Sequence, residues 1–222
     1  MVFATAVEPL ETTRMMTFVD PPHFERIPLH ETHFLYAHVV PAELIWSEVQ
    51  FASAWHQHPA DFHTIKMFGR SVPTPRWQQA YGTDYRYTGR VNRALPVPHW
   101  LTPLAAWAAT TIDSRLNGLL LNWYDAGHHY IGPHRDSEAN RIPGTPIVTI
   151  SFGAERIFRL RRYPRRPDQP PCDFPARHGS VFILPWRTNQ AYTHEVPRSK
   201  VTVGHRISVT MRAFDTKPQV TL

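Results

Sequence analysis

Between Arg206 and Arg212 the sequence alternates without a break. Arg206, Ser208, Thr210 and Arg212 are polar, and Ile207, Val209 and Met211 between them are apolar. A period of two belongs to a strand, whose successive side chains point to opposite faces. The apolar face must be covered by a core, which commits this part of the chain to a sheet. The polar face admits two readings. It is an ordinary solvated basic face, or it is the inner face of a sheet that captures an acid. A guanidinium fork matches a carboxylate through two parallel hydrogen bonds, and a hydroxyl beside it adds another. Two Arg on one face suit a dicarboxylate such as 2-oxoglutarate.

Further upstream, residues 122–136 read N-W-Y-D-A-G-H-H-Y-I-G-P-H-R-D. The stretch ends in His134-Arg135-Asp136, an imidazole and a carboxylate two residues apart. A helix would throw these to different faces; an extended segment keeps them on one, where both can hold one metal. A third ligand must then come from far along the chain, and His194 is the candidate. Two His and one carboxylate on one side of a metal form the facial triad of non-haem Fe(II) oxygenases, which leaves positions open for substrates. His-x-Asp alone discriminates little in a chain with 14 His, most of which serve on the surface or in structural hydrogen bonds.

Five motifs in order sharpen the reading: Asn122-x-Tyr124-x-x-Gly127, Ile131-x-x-His134-x-Asp136, Ser151-Phe152-Gly153-x-x-Arg156, His194, and Arg206-x-Ser-x-Thr-x-Arg212. Together they resemble the AlkB family of Fe(II)/2-oxoglutarate dioxygenases that dealkylate nucleic acids, over roughly positions 65 to 214. The family places Asn where this chain has Ser208, a shorter polar side chain beside the cosubstrate. The resemblance implies Fe(II) on His134, Asp136 and His194, with O₂ at an open position. It implies 2-oxoglutarate held by Asn122, Tyr124 and Arg206, with Ser208 and Thr210 on the same face. Arg212 is expected to orient the cosubstrate or the alkylated base. The activity implied is removal of N-alkyl groups from bases by oxidation, an N-methyl group leaving as formaldehyde, while 2-oxoglutarate becomes succinate and CO₂.

The stretch Ile65-Lys-Met-Phe-Gly-Arg-Ser-Val-Pro-Thr-Pro-Arg76 puts an apolar Phe68 at a turn between basic residues. A buried hairpin tip is the plain explanation. Enzymes acting on a base take it out of the stack, and an apolar side chain can fill the gap. Here the chain is similar to the duplex-DNA branch of the family, which implies Phe68 as the wedge and phosphate contacts from Lys66, Arg70 and Arg76. Residues 81–89 read as a hairpin with Tyr85 and Tyr87 on one face. Core packing explains such a pair; the resemblance makes the hairpin a lid. Tyr87 would then stack on the flipped base opposite His134, with Tyr85 and Thr88 near the base edge. Stacking contributes about 1–3 kcal/mol per base. Glu138 is a solvated loop residue or, by the resemblance, a base-recognition residue.

Length and composition bound the rest. The 222 residues fit one domain with a real core. Twenty-two Pro against ten Gly favour rigid loops over long helices. A net charge of +6 favours a polyanionic partner. DNA is the partner expected, with RNA, another substrate, or a non-catalytic nucleic-acid-binding relative as alternatives. Cys172 stands alone, so no intrachain disulfide forms and a reducing compartment is expected: cytoplasmic in a bacterium, nuclear in a eukaryote. The sequence has no 18-residue apolar run, so no membrane is expected, and the protein is expected to act as a monomer.

Residues 1–30 are expected to form an N-terminal arm, followed by a single catalytic domain over 31–222. Within it, 31–118 carry helices and nucleotide-recognition hairpins, and 119–214 a jelly-roll core. Helices are expected from Pro41 to about Gln57 and from Pro98 to about Leu116. Strands are expected at 119–124, 147–152, 156–162 and 179–184, and an exposed Pro- and Arg-rich loop at 163–175. This pattern is mostly β, with helices only in the N-terminal half. The double-stranded β-helix itself, with those helices on its major sheet, is what the resemblance implies.

Overall fold

The computed structural model describes residues 23–30, 32–67, 69–87, 90–201 and 203–216, with backbone only at 66–67, 85–87 and 90–91. In chain order the elements are β1 (Glu25–His30), β2 (His33–Val39), α1 (Glu48–Trp55), β3 (Thr64–Met67), β4 (Arg70–Pro73), β5 (Trp77–Tyr81), β6 (Tyr85–Tyr87), β7 (Arg90–Asn92), β8 (Ala94–Leu95), α2 (Thr102–Thr111), β9 (Gly118–Tyr124), β10 (Ile131–His134), β11 (Ile147–Gly153), β12 (Arg156–Arg162), β13 (Cys172–Ala176), β14 (Ser180–Leu184), α3 (Trp186–Ala191), β15 (Tyr192–Val196) and β16 (Arg206–Arg212).

Eight strands form a major sheet in the order β1-β2-β14-β11-β16-β9-β5-β8, and four form a minor sheet, β10-β15-β12-β13. The hairpins β3–β4 and β6–β7 stand apart from both. One apolar cluster joins the two sheets: Leu35, Ile147, Phe182 and Leu184 from the major sheet meet Phe158, Leu160, Ala176 and Tyr192 from the minor one. This is the expected jelly-roll. The other face of the major sheet packs on the helices. Leu119, Leu121 and Trp123 of β9 and Ile207, Val209 and Met211 of β16 join Trp55, Leu104 and Ala108 in the larger cluster. Trp123 Nε1 donates to the Ala54 carbonyl at 3.0 Å, pinning the end of α1 to the sheet.

The strict alternation of β16 is thereby explained. Every residue of the strand is buried, on both faces. Its apolar residues face the helices, and its polar residues face the space between the sheets. A solvated basic face is excluded. Gly153 closes β11 at φ +86°, where a Cβ would strike the His205 carbonyl and the Phe51 ring, so only glycine fits.

Several expectations need correction. The arm is part of the sheet from Glu25 onward, as β1, while residues 1–22 lie outside the described residues. The major sheet also recruits β2, β5 and β8, so the jelly-roll is not confined to 119–214. The first helix starts at Glu48, because Ser47 caps it and forms a capping box with Gln50. The second is confined to Thr102–Thr111, with Pro103 in its first turn. The hairpin read at 81–89 lies further on: Tyr81 belongs to β5 in the major sheet, and β6 pairs with β7. The loop at 163–175 gives way to strand β13, which packs Cys172 and Phe174 against the inter-sheet cluster. Helix α3 lies in the C-terminal half, against the expectation. No helix among the described residues is long and apolar enough to cross a membrane.

Candidate metal centre and cosubstrate pocket

Strands β10 and β15 run antiparallel, with His134 directly paired to His194. Their rings lie 4.2 Å apart between centroids. Asp136 follows two residues beyond His134 and turns its carboxylate to the same side. His134 Nε2 is 3.7 Å and His194 Nε2 3.9 Å from Asp136 Oδ1. One ligand atom from each of the three residues falls within 4.8 Å of the others.

The protonation states suit a divalent metal. His134 Nδ1 lies 2.9 Å from the Gly132 carbonyl, which can only accept, so that nitrogen carries the proton and Nε2 offers its lone pair. Burial, followed by the neighbouring His134, pulls His194 down to about 3. Burial likewise lowers His134. For Asp136, burial acts to raise the carboxyl, but Arg212 and both imidazoles outweigh it and hold it below its ordinary value. Arg212 Nε donates to Asp136 Oδ2, which leaves Oδ1 facing the imidazoles. Two neutral rings and one carboxylate are the ligand forms a divalent ion requires.

Beside this group, β16 and β9 present the clamp. Their register sets Arg206 against Tyr124 and Ser208 against Asn122. Arg206 is wholly buried. Its Nη2 donates to Ser151 Oγ at 2.7 Å, and its guanidinium lies 4.9 Å over the Tyr124 ring. Nε and Nη1 have no partner among the described residues. A buried charged donor left without a partner is costly, so a fork with two idle N–H-bearing nitrogens points to an anion. Asn122, Tyr124, Ser208, Thr210, Arg212, His134 and His194 line one void of about 530 Å³, its mouth included. A metal's ligands and an anion's grip thus share one pocket.

Residues 31–212 match the family model described as the 2OG-Fe(II) oxygenase superfamily. The chain belongs to that superfamily. Among curated relatives, the DNA oxidative demethylase ALKBH2 of Homo sapiens is 30% identical over 156 residues, 67% of this chain and 60% of the relative. The Alpha-ketoglutarate-dependent dioxygenase alkB homolog 3 of Rattus norvegicus is 29% identical over 165 residues, 67% of this chain and 53% of the relative. The chain therefore spans roughly three-fifths of the length of the human relative that it matches. A solved structure of OsALKBH1 shares the fold at a TM-score of 0.54 and 14% identity, covering 83% of this chain and 99% of that one. Within the superfamily the chain is of the AlkB type. The His-Asp-His group fits Fe(II), with 2-oxoglutarate and O₂ as the cosubstrates of this 2OG-Fe(II) oxygenase.

One Arg assignment changes. Arg76, expected on a phosphate, is only 4% exposed. It points into the pocket, donating to Asn122 Oδ1 at 2.7 Å, Gln78 Oε1 at 3.1 Å and the Tyr130 carbonyl at 3.2 Å. A side chain so enclosed cannot reach the DNA backbone. Arg212, expected to orient the cosubstrate or base, lines the same pocket as Arg206 and donates its Nε to Asp136.

The residues expected at the base and the phosphates are less fully placed. Phe68 and Thr88 lie outside the described residues. Lys66, Tyr85 and Tyr87 are described by backbone alone, in β3 and β6. Arg70 is exposed on β4. Glu138 is partly buried and accepts from Gln190 Nε2 at 3.1 Å. In the Arg-rich stretch, Arg161 pairs with Glu195 at 2.6 Å and Arg162 donates to the Ala191 carbonyl at 3.1 Å. Arg165 and Arg166 are exposed.

Supporting residues also emerge that spacing does not reveal. Ser151 anchors Arg206 from the neighbouring strand β11. Arg156 donates to the carbonyls of Ala126, Gly127, His129 and Pro197, which holds the loop between β9 and β10. Both stand in the Ser151-to-Arg156 motif, which marks them without revealing what they touch. Asn189 bonds the backbone of Asp136, and no sequence signal identifies it.

Proposed function

We propose that this chain oxidatively removes N-alkyl groups from DNA bases, using Fe(II), 2-oxoglutarate and O₂. The observation that carries the proposal is the convergence of His134, Asp136 and His194 beside Arg206, a buried guanidinium with two idle nitrogens. The names of the AlkB-type relatives supply the substrate class. Bound iron would supply O₂ activation coupled to decarboxylation of 2-oxoglutarate. The chain's own side chains do the rest. His134, Asp136 and His194 hold the metal. Arg212 keeps Asp136 ionised and turns one carboxylate oxygen inward. Arg206 grips a carboxylate of the cosubstrate, with Asn122, Tyr124, Ser208 and Thr210 around it. One oxygen atom enters the N-methyl group and the other enters succinate; the hydroxymethyl adduct then loses formaldehyde and restores the N–H base.

Tyr85, Tyr87, Thr88 and Glu138 are proposed to receive the base, Phe68 to fill its place in a duplex, and Lys66 and Arg70 to meet phosphates. These roles rest on the sequence match. The chain is proposed to act as a monomer. The test is formaldehyde release from N-methylated single- and double-stranded oligonucleotides with Fe(II) and 2-oxoglutarate. Turnover is expected on DNA, and its absence on every methylated oligonucleotide overturns the assignment. Phe68→Ala should slow turnover on duplex more than on single strands; an equal effect on both removes the wedge.

A further inference from the structure

Strand β10 ends two residues short of Asp136. Ile131 pairs with Val196 and His134 with His194, with an irregularity in register between the two pairs. Strand β10 ends at His134, while β15 runs back as far as Tyr192, where α3 leads into it. Asp136 therefore lies two residues past the end of its own strand. An extended backbone is what brings its carboxylate to the same side as His134.

Asn189, in α3, meets the Asp136 backbone there. Its side chain is 1% exposed. Asp136 N–H donates to Asn189 Oδ1 at 3.1 Å, and Asn189 Nδ2 donates to the Asp136 carbonyl at 3.1 Å. A carboxamide offers one acceptor and one donor in the same sense as a strand peptide. It thus holds the Asp136 backbone by both its N–H and its carbonyl. Neighbouring bonds reinforce it: Arg135 Nη1 donates to the Gln190 carbonyl at 3.0 Å, and Gln190 Nε2 to Glu138 Oε2 at 3.1 Å. On its other side α3 is tied to β2, where Thr188 Oγ1 donates to the Phe34 carbonyl at 2.9 Å. His194 follows five residues after Asn189 along the same chain.

We infer that Asn189 is a positioning residue for the metal centre: its carboxamide clamps the Asp136 backbone and sets the Asp136 carboxylate relative to His134 and His194. The inference rests on the metal-centre reading of the three ligands. Apolar replacement removes both bonds, and Asn189→Asp keeps the shape but sets a carboxylate against the Asp136 carbonyl. Outer-shell partners of this kind typically change metal affinity by about 10–100-fold.

The experiment is anaerobic Co(II) titration of the full chain, followed by visible absorption, for the wild type, N189D and N189A. Absence of Co(II) binding by the wild type defeats the metal centre itself. Given wild-type binding, at least about tenfold weaker binding by both variants, with the KM for 2-oxoglutarate at saturating Fe(II) kept within about twofold, supports the role. A merely structural loss would move both quantities. Variants that bind Co(II) like the wild type overturn the inference. Should neither variant fold, amide hydrogen exchange on the wild type decides. Slow exchange at the Asp136 N–H supports the clamp, and exchange at the rate of an exposed loop overturns it.

Discussion

The two sheets bring their functional residues to one pocket by different means. Arg206, Ser208, Asn122 and Tyr124 stand on β16 and β9, central strands of the major sheet paired over seven consecutive residues. Backbone pairing on both sides of β16 fixes where these side chains begin. The metal ligands come from the minor sheet, where β10 pairs at the site only through His134 and Asp136 lies beyond the ladder. His134 and His194 are placed by strand pairing, and Asp136 by side-chain bonds, from Arg212 on one side and Asn189 on the other. The anion grip is thus built into the frame, and the metal end is held by braces. Substitutions should accordingly separate into two phenotypes.

The largest effect is expected at Asp136. Asp136→Ala removes a ligand and leaves Arg212 buried without its carboxylate. Formaldehyde release should vanish, and urea denaturation of the metal-free protein should show a loss of about 3–5 kcal/mol. Unchanged stability would show that the brace carries no weight. Next comes the frame side. Arg206→Lys keeps a charge but loses the fork, so the KM for 2-oxoglutarate should rise by about 10–100-fold, matching about 1.5–3 kcal/mol for charged hydrogen bonds. Co(II) binding should stay within about twofold of the wild type, and a parallel loss of metal would erase the distinction between the sheets.

Acid should act on the metal end of the metal-free protein. Burial depresses His134 and His194 in the fold, the latter to about 3. As pH falls below about 6.5 the unfolded chain takes up these protons first, so native stability declines, and the His194 share of that decline ends near pH 3. Denaturant midpoints flat between pH 7 and pH 4 would contradict buried neutral imidazoles. The smallest effect belongs to neither region. Arg177 and Glu155 form a largely exposed pair at 2.9 Å. Glu155→Gln should change stability by less than about 1 kcal/mol and leave turnover alone.

The parts of this architecture that could be read in the sequence are those whose burial is one-sided or complete. The alternation of β16 and the apolar run of β9 foretold both strands and the shared face of Asn122 and Tyr124. The His-x-Asp spacing foretold the extended geometry at the metal. Strands β1 and β13 escaped because each contains proline, Pro28 and Pro175. Both are edge strands, where a residue without an N–H is tolerated. Helix α3 is six residues long, too short to show a period. Asn189 was hidden for another reason: its partner is the backbone of a residue 53 positions away, and no local pattern reports such a bond. Arg76 looked like a surface cation because charge in a sequence carries no depth.

The β6–β7 hairpin is an excursion from the rim of the major sheet. The chain leaves at Tyr81 in β5 and returns at Ala94 in β8, and these two strands lie side by side in parallel, with Ala80 opposite Ala94. Departure and return points are thus about one strand spacing, 4.8 Å, apart. The length of such a segment is not set by the span it must bridge, so hairpins of other lengths could join the same two strands without stretching either.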